Sequence, residues 1–173
     1  MIFGMDSAFF HFINKTIANP FFDFIMPPIS WMASGEALFI LAILLIIFCK
    51  KENKRSGILV LAGLTIMYYT IFFLKDIVGR PRPCLVLSDV RLLEASARAS
   101  SFPSGHAARA FLAAVILSRF FGRNAAWFFL AGIICFSRVY VGAHYLSDVL
   151  VGAVVGACGA WGLVKLADHI DTG

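Results

Sequence analysis

Residues 56–83 read SGILVLAGLTIMYYTIFFLKDIVGRPRP. The 19 residues from Ser56 to Leu74 carry no charge and are mostly aliphatic or aromatic. Coiled into a helix they reach about 28 Å, close to the thickness of a bilayer's hydrocarbon core. The apolar run stops at Lys75-Asp76, and Arg80, Pro81, Arg82 and Pro83 follow at once. A helix apolar on every face is either deeply buried or in lipid, and a cationic cluster at its end favours lipid. The stretch therefore predicts a spanning helix that delivers polar groups to a membrane face.

The rest of the chain agrees. Of 173 residues, 60% are apolar and 14% charged, with eighteen Phe, 15 Lys and Arg, and 10 Asp and Glu. Soluble domains are nearer half apolar and a quarter charged, which excludes an ordinary soluble protein; disorder is excluded because so much apolar surface cannot stay hydrated. Four more apolar runs are read as spans: Ser34–Cys49, Ala107–Phe121, Ala125–Phe136 continuing to Val141, and Leu146–Leu166. The expected fold is an all-α polytopic transmembrane bundle with five such spans. A sixth would come from residues 1–33, read either as an interfacial helix around Asp6–Ala18 with a short crossing after it or as one kinked span, because Pro20, Pro27 and Pro28 interrupt them. The whole chain, 1–173, is expected to be one membrane-embedded domain. The last run contains Gly152-xxx-Gly156, a close-packing pattern that favours the bundle interior over lipid. Cys49, Cys84, Cys135 and Cys158 have no metal-ligand spacing and read as small apolar groups. The N-terminus lacks a basic region before its first apolar stretch, so that segment is expected to be retained.

Loop charge bears on orientation. Lys50-Lys51-Glu52-Asn53-Lys54-Arg55 has four cations and one anion and reads as cytoplasmic. Alternate crossings then put residues 119–123 and the C-terminus on that side, and residues 75–103 and 138–145 outside. The outer loop is also basic, with Lys75, Arg80, Arg82, Arg91 and Arg98, so charge alone does not decide the matter. Those outer cations need another use.

Three polar clusters supply one, and the crossing count brings them to the same face: residues 75–83, residues 102–106, and residues 137–148. Ser104 reads as a helix N-cap, with Gly105 allowing close approach of a ligand to the unpaired amides that follow. Arg82 and Arg138 offer planar forks for phosphate oxygens and Lys75 a point charge. His144 and Asp148 are four residues apart, one face of a helix, so Asp148 is expected to hydrogen-bond one imidazole nitrogen and leave the other as a nucleophile. His106 is then the general acid for the leaving oxygen. The cations and the amides near Gly105 would stabilise the charge developing on phosphorus, so neither a metal nor any other cofactor is required. Any one of these residues alone is more often structural; two His, an Asp and three cations on one face point to catalysis.

The clusters resemble the tripartite signature of the type 2 phosphatidic acid phosphatase superfamily, KxxxxxxRP, PSGH and SRxxxxxHxxxD. Lys75, Arg82 and Pro83 fit the first part, Pro103, Ser104, Gly105 and His106 the second, and Ser137, Arg138, His144 and Asp148 the third. The resemblance covers residues 75–148 without departure at a specified position. It implies a helical bundle, usually of six spans, and metal-independent hydrolysis through a phosphohistidine on the residue matching His144, with the acid role on the one matching His106. The implied substrates are lipid phosphates and diphosphates.

The expectation is thus a phosphatase in the inner (plasma) membrane, its site facing the periplasm, whose partners are the bilayer and a lipid phosphate and not nucleic acid; oligomeric state is left open. Undecaprenyl diphosphate or lipid A 1-phosphate is favoured over phosphatidylglycerophosphate or phosphatidate, because Arg80, Arg98 and Arg109 suit more than one phosphate. Arg80 and Arg109 are possible headgroup contacts, although Arg109 reads equally well as the partner of a carboxylate and Arg80 as a rim charge. A phosphotransferase with the same site is the rival within the enzyme class. A non-catalytic lipid-binding or transport protein is the rival outside it, disfavoured by His106, His144 and Asp148. His11 and His169 lie outside the clusters and read as surface groups; Tyr140 and Tyr145 read as interfacial anchors.

Overall fold

A computed structural model describes residues 2–94 and 100–172, with side chains from residue 5 to residue 170. Among the described residues every regular element is helical. Helix α1 (Ile2–His11) runs into a π-helical turn (Phe12–Thr16); α2 (Pro20–Trp31), α3 (Gly35–Phe48), α4 (Lys51–Val78), a single turn α5 (Pro83–Val86), α6 (Gly105–Phe121), α7 (Asn124–Tyr140) and α8 (Leu146–Thr172) follow.

Local chemistry sets several boundaries. Asn19 caps α2 by accepting from the Phe22 amide at 3.0 Å, with Pro20 at the first helical position. Ser34 caps α3 through the Ala37 amide at 3.0 Å. Gly79, at φ +59°, ends α4 in the left-handed conformation and returns its amide to the Lys75 carbonyl.

Among the described residues two helices are long and apolar enough to cross a bilayer alone, Lys51–Val78 and Leu146–Ile170. Helices α2 and α3 meet the same test only as a pair, bent by 58°. The run Ser34–Cys49, expected as a span of its own, is the 14-residue apolar helix α3, set at 58° to α2. The break falls at the Ser34 cap and not at Pro27 and Pro28, which both lie inside α2. Helices α6 and α7 have 17 residues each, about 25 Å of length. The five expected runs are all helical: two have the full length of a span, and the other three are shorter helices.

Helix α6 is the hub, packing along α8 and against α4 and α7. Val60, Met67 and Ile71 of α4, Leu112 and Ile116 of α6 and Val164 of α8 share one buried cluster. Large apolar side chains such as Phe24, Phe48, Phe73, Phe129 and Trp161 point outward and are exposed, as a lipid-facing surface requires. The expected close packing at the small-residue face of α8 is present. A Cβ on Gly156 would sit 1.9 Å from the Ala108 carbonyl oxygen, and one on Gly152 would sit 2.5 Å from that of Ser104. Only glycine lets these backbones meet.

The N-terminal segment is keyed into the same end of the bundle. Asn14 is fully buried and donates to the Arg91 and Tyr140 carbonyls, both at 2.8 Å, while accepting from the Arg91 amide at 2.9 Å. Arg91 also pairs with Asp23, which accepts from the Tyr140 hydroxyl. The outer loop, the π-helical turn, α2 and the end of α7 are thereby joined.

Candidate active site

The three clusters are stitched together by hydrogen bonds to backbone. After Gly79 the chain lies antiparallel to residues 100–101, with the Ser101 amide donating to the Arg80 carbonyl at 2.7 Å. Lys75 Nζ donates to the carbonyls of Ser100 and Ser101 at 2.8 and 3.1 Å. This fixes the end of α4 against the approach to α6. Arg82 reaches the other way and donates to the Ala143 carbonyl at 2.7 Å. Ser104 caps α6 through the Ala107 amide, and its own amide donates to the Asp148 carbonyl at 2.9 Å. The glycine contacts between α6 and α8 make that last bond possible by bringing the start of α8 onto the start of α6.

Gly142 turns the chain between α7 and α8. Its φ is +85°, and a Cβ there would meet the Arg91 carbonyl oxygen at 2.5 Å, so a side chain is excluded by conformation and by space. The Ala143 and His144 amides both return to the Arg138 carbonyl at 3.2 Å. His144 is thereby held over the end of α7, at 2% exposure.

These connections enclose a cavity of about 430 Å³. Its polar lining comprises Lys75, Arg82, Arg138, His106 and His144, with Gly105; Tyr68, Ile71 and Phe72 of α4 supply apolar lining; Glu36 and Arg109 complete it. Burial, reinforced by the positive charges of Arg138, Arg82 and Lys75, holds the His144 imidazole well below its usual range, so the ring is neutral at pH 7. Burial and the neighbouring Arg138 likewise lower the Arg82 guanidinium. Four cations against one carboxylate make a wall that favours an anion. Arg138 Nε is buried and has no hydrogen-bond partner among the described residues, a donor left waiting for an acceptor.

Most residues expected at the site meet there, with three differences. The first concerns His144 and Asp148. They do not share a helix, because His144 precedes α8 and Asp148 lies in its first turn. Their closest atoms, Nδ1 and Oδ2, are 3.6 Å apart, beyond hydrogen-bond length. Asp148 Oδ2 instead accepts from the Tyr145 amide at 2.9 Å, and Oδ1 accepts from Arg80 at 2.7 Å. The second concerns Arg80. It is not in the cavity lining; its guanidinium pairs with both Asp148 and Asp6 and lies 3.9 Å over the Tyr145 ring. The expected headgroup contact is corrected to a buried ion pair. The third concerns Arg109, read as a carboxylate partner or a headgroup contact. Its Nε donates to the Ala33 carbonyl at 2.9 Å while the side chain lines the cavity beside Gly105. Arg98 lies outside the described residues.

Three residues that sequence reasoning passed over hold the site in place. Arg138 pairs with Glu94 and donates to Ser30, and Ser30 in turn donates to Glu94 at 2.8 Å. Asp6, in α1, accepts from Arg80 at 2.7 Å and from the Ser147 amide at 3.1 Å. The available signal was a carboxylate in an otherwise apolar stretch, which needs a partner.

Comparison with known proteins matches this architecture. The PAP2 superfamily profile matches residues 56–170. The lipid A 4'-phosphatase of Bacteroides thetaiotaomicron is 28% identical over 91% of this chain and 74% of its own length. The undecaprenyl-diphosphatase of Sulfolobus acidocaldarius is 32% identical over 66% of this chain and 55% of its own. The crystal structure of Aquifex aeolicus LpxE superposes with a TM-score of 0.82 at 31% identity, covering 93% of this chain and 95% of that one. The family match covers well over half of the chain: the chain belongs to the PAP2 superfamily and is a phosphatase of that kind.

Proposed function

We propose that the protein hydrolyses the terminal phosphate of a membrane lipid phosphate or diphosphate, with His144 as nucleophile and His106 as general acid. The observation that carries this reading is the cavity itself, which both imidazoles, Lys75, Arg82 and Arg138 line together with apolar side chains of α4. Such a space suits an amphiphile with its phosphate among the cations and its tail toward lipid.

In this scheme Lys75, Arg82, Arg138 and the amides after Ser104 hold the phosphoryl oxygens. His144 Nε2, 3.5 Å from Arg82, attacks phosphorus as the bond to the leaving oxygen breaks and His106 gives that oxygen a proton. Asp148 balances the positive charge that appears on the His144 ring. Water then attacks the phosphohistidine, losing a proton to His106; phosphate leaves and both imidazoles return to their starting state. Bound anion relieves the mutual repulsion of the cations, which strengthens as charge moves onto the equatorial oxygens. No step requires a metal ion.

Undecaprenyl diphosphate or a lipid A phosphate is the favoured substrate. Arg109 stands next to the phosphate-binding residues and would hold a second phosphate or a polar headgroup, and the matched relatives named above are phosphatases of lipid A and of undecaprenyl diphosphate. The basic turn at residues 50–55, read as cytoplasmic, supports a site facing the periplasm from the inner membrane. A release assay in detergent across a panel of lipid phosphates, with EDTA present, tests the reading. Inorganic phosphate should appear, and vanadate should compete with substrate. Activity abolished by EDTA and restored by Mg²⁺ contradicts the chemistry. A cysteine placed at Ser88 should react with impermeant reagents in intact cells; labelling by permeant reagents alone inverts the orientation.

A further inference from the structure

We infer that Asp6, on the N-terminal helix, is a positioning residue for the reaction, acting through Arg80 on Asp148 and so on His144. The inference rests on the proposed role of His144 as nucleophile.

The geometry is a chain of buried contacts. Asp148 is fully buried, and one of its oxygens accepts from Arg80 NH1 at 2.7 Å. The other end of the same guanidinium, NH2, donates to Asp6 at 2.7 Å, and NH1 also donates to the Ser147 hydroxyl at 2.7 Å. Asp6, 6% exposed, accepts in addition from the Ser147 amide and hydroxyl, which ties α1 to the first turn of α8. The Tyr145 ring lies under the guanidinium, and Phe10 of α1 packs on Tyr145 with ring centroids 5.7 Å apart. Arg80 is therefore clamped from both carboxylates and from one face.

Charge gives the clamp a purpose. A lone Arg80–Asp148 pair would be neutral and would do little for a cation forming on His144. With Asp6 present the trio carries one net negative charge, and the end facing His144 is Asp148, 3.6 Å away. When the His144 ring becomes cationic on phosphorylation, the group of four becomes neutral. Asp6 thus offsets the charge of Arg80 so that Asp148 remains an effective anion toward His144. The charged and titratable groups on the remaining sides of His144 are Lys75, Arg82, Arg138 and His106. All the cations among them oppose that ring charge, which makes the anion on the α8 side the more important. Asp6 lies before the region matched by the family profile, residues 56–170, so this part of the apparatus comes from the N-terminal helix.

The test uses the full-length protein purified in detergent, with farnesyl diphosphate as probe and rates normalised to monodisperse folded protein. Asp6→Asn should lower kcat by about 10-fold, a size typical of a coupled polar network, with KM changed by less than about 2-fold. Ser147→Ala, which keeps both charges and loosens the clamp, should show the same split with a smaller fall. The double variant Asp6→Asn/Arg80→Gln should be no slower than Arg80→Gln alone, because Asp6 acts through Arg80. Normal kcat in both Asp6→Asn and Ser147→Ala overturns the inference, as does a double variant whose loss is the product of the single losses. His144→Ala is measured alongside. If it turns over normally, the nucleophile assignment fails; if it is inactive while Asp6→Asn is normal, only the positioning role fails.

Discussion

Replacing Gly156 with alanine tests whether the contact between α6 and α8 sets the geometry of the site. The new Cβ would lie 1.9 Å from the Ala108 carbonyl oxygen and 2.8 Å from its Cα, whereas Cβ contacts below 3.0 Å are essentially never found. The obstacle is helix backbone, so it cannot rotate away. The helices must part by about 1 Å, an overpacking that costs about 1–3 kcal/mol. Eight residues earlier on α8, the Asp148 carbonyl accepts from the Ser104 amide at 2.9 Å. Parting the helices stretches that bond and separates His144 from His106. A shift of about 1 Å at a reacting centre lowers turnover by up to about 100-fold. Gly162, on the same helix, supplies the control, because a Cβ there meets nothing within 4 Å. Gly162→Ala should be neutral or stabilising by up to about 1 kcal/mol through helix propensity. Tryptophan fluorescence melts in detergent and phosphate release per folded molecule are the assays. Gly156→Ala should melt lower and turn over more slowly, with Gly162→Ala matching the parent. Equal melting and turnover in the two variants would refute the reasoning.

Three further outcomes are expected. Asn14→Ala strands the buried carbonyl of Tyr140 and the part-buried one of Arg91 and should cost about 3 kcal/mol, read as a lowered Tm; an unchanged Tm would show that the outer loop does not depend on it. Arg109→Gln should raise KM for a lipid diphosphate by about 10-fold and change a monophosphate far less, since a charge-assisted fork to the second phosphate is lost; equal effects on both would remove Arg109 from recognition. The His144 pKa is depressed from the ordinary 6.5 by burial first and then by Arg138, Arg82 and Lys75. Its contribution to stability is therefore present above pH 6.5 and declines as pH falls below it, because the unfolded chain takes up a proton that the folded one refuses. Melts between pH 8 and pH 5 should show that decline reduced in His144→Gln, and an identical decline in both proteins would assign it elsewhere.

The three motifs of the candidate site were legible because they are fixed spacings of chemically specific residues at the ends of apolar runs. The helix start at Ser104 was legible from cap chemistry, and the close packing of α8 from Gly152 and Gly156. What binds the motifs together was not legible. Glu94 reaches Arg138, Asp6 reaches Arg80, and Asn14 reaches Arg91 and Tyr140 across separations that no local spacing encodes. The two misreadings share that origin. Arg80 looked like a free rim cation because its partners are 74 and 68 residues away. His144 and Asp148 have helical spacing, but the turn at Gly142 leaves His144 outside the helix. The bend at Ser34 was hidden for a different reason: the prolines at 27 and 28 are the stronger sequence signal, yet both fit inside the helix, where a bilayer setting can tolerate them.

The central claim, that His144 carries the phosphoryl group, is tested most directly by trapping it. Full-length protein is mixed with a lipid phosphate bearing a radiolabelled terminal phosphate and quenched in alkali within one turnover. The account predicts label on the protein that survives alkali, is released by acid, maps to the peptide containing His144 and is absent from His144→Ala. Label that persists in His144→Ala, or turnover by that variant at the parent rate, would contradict it.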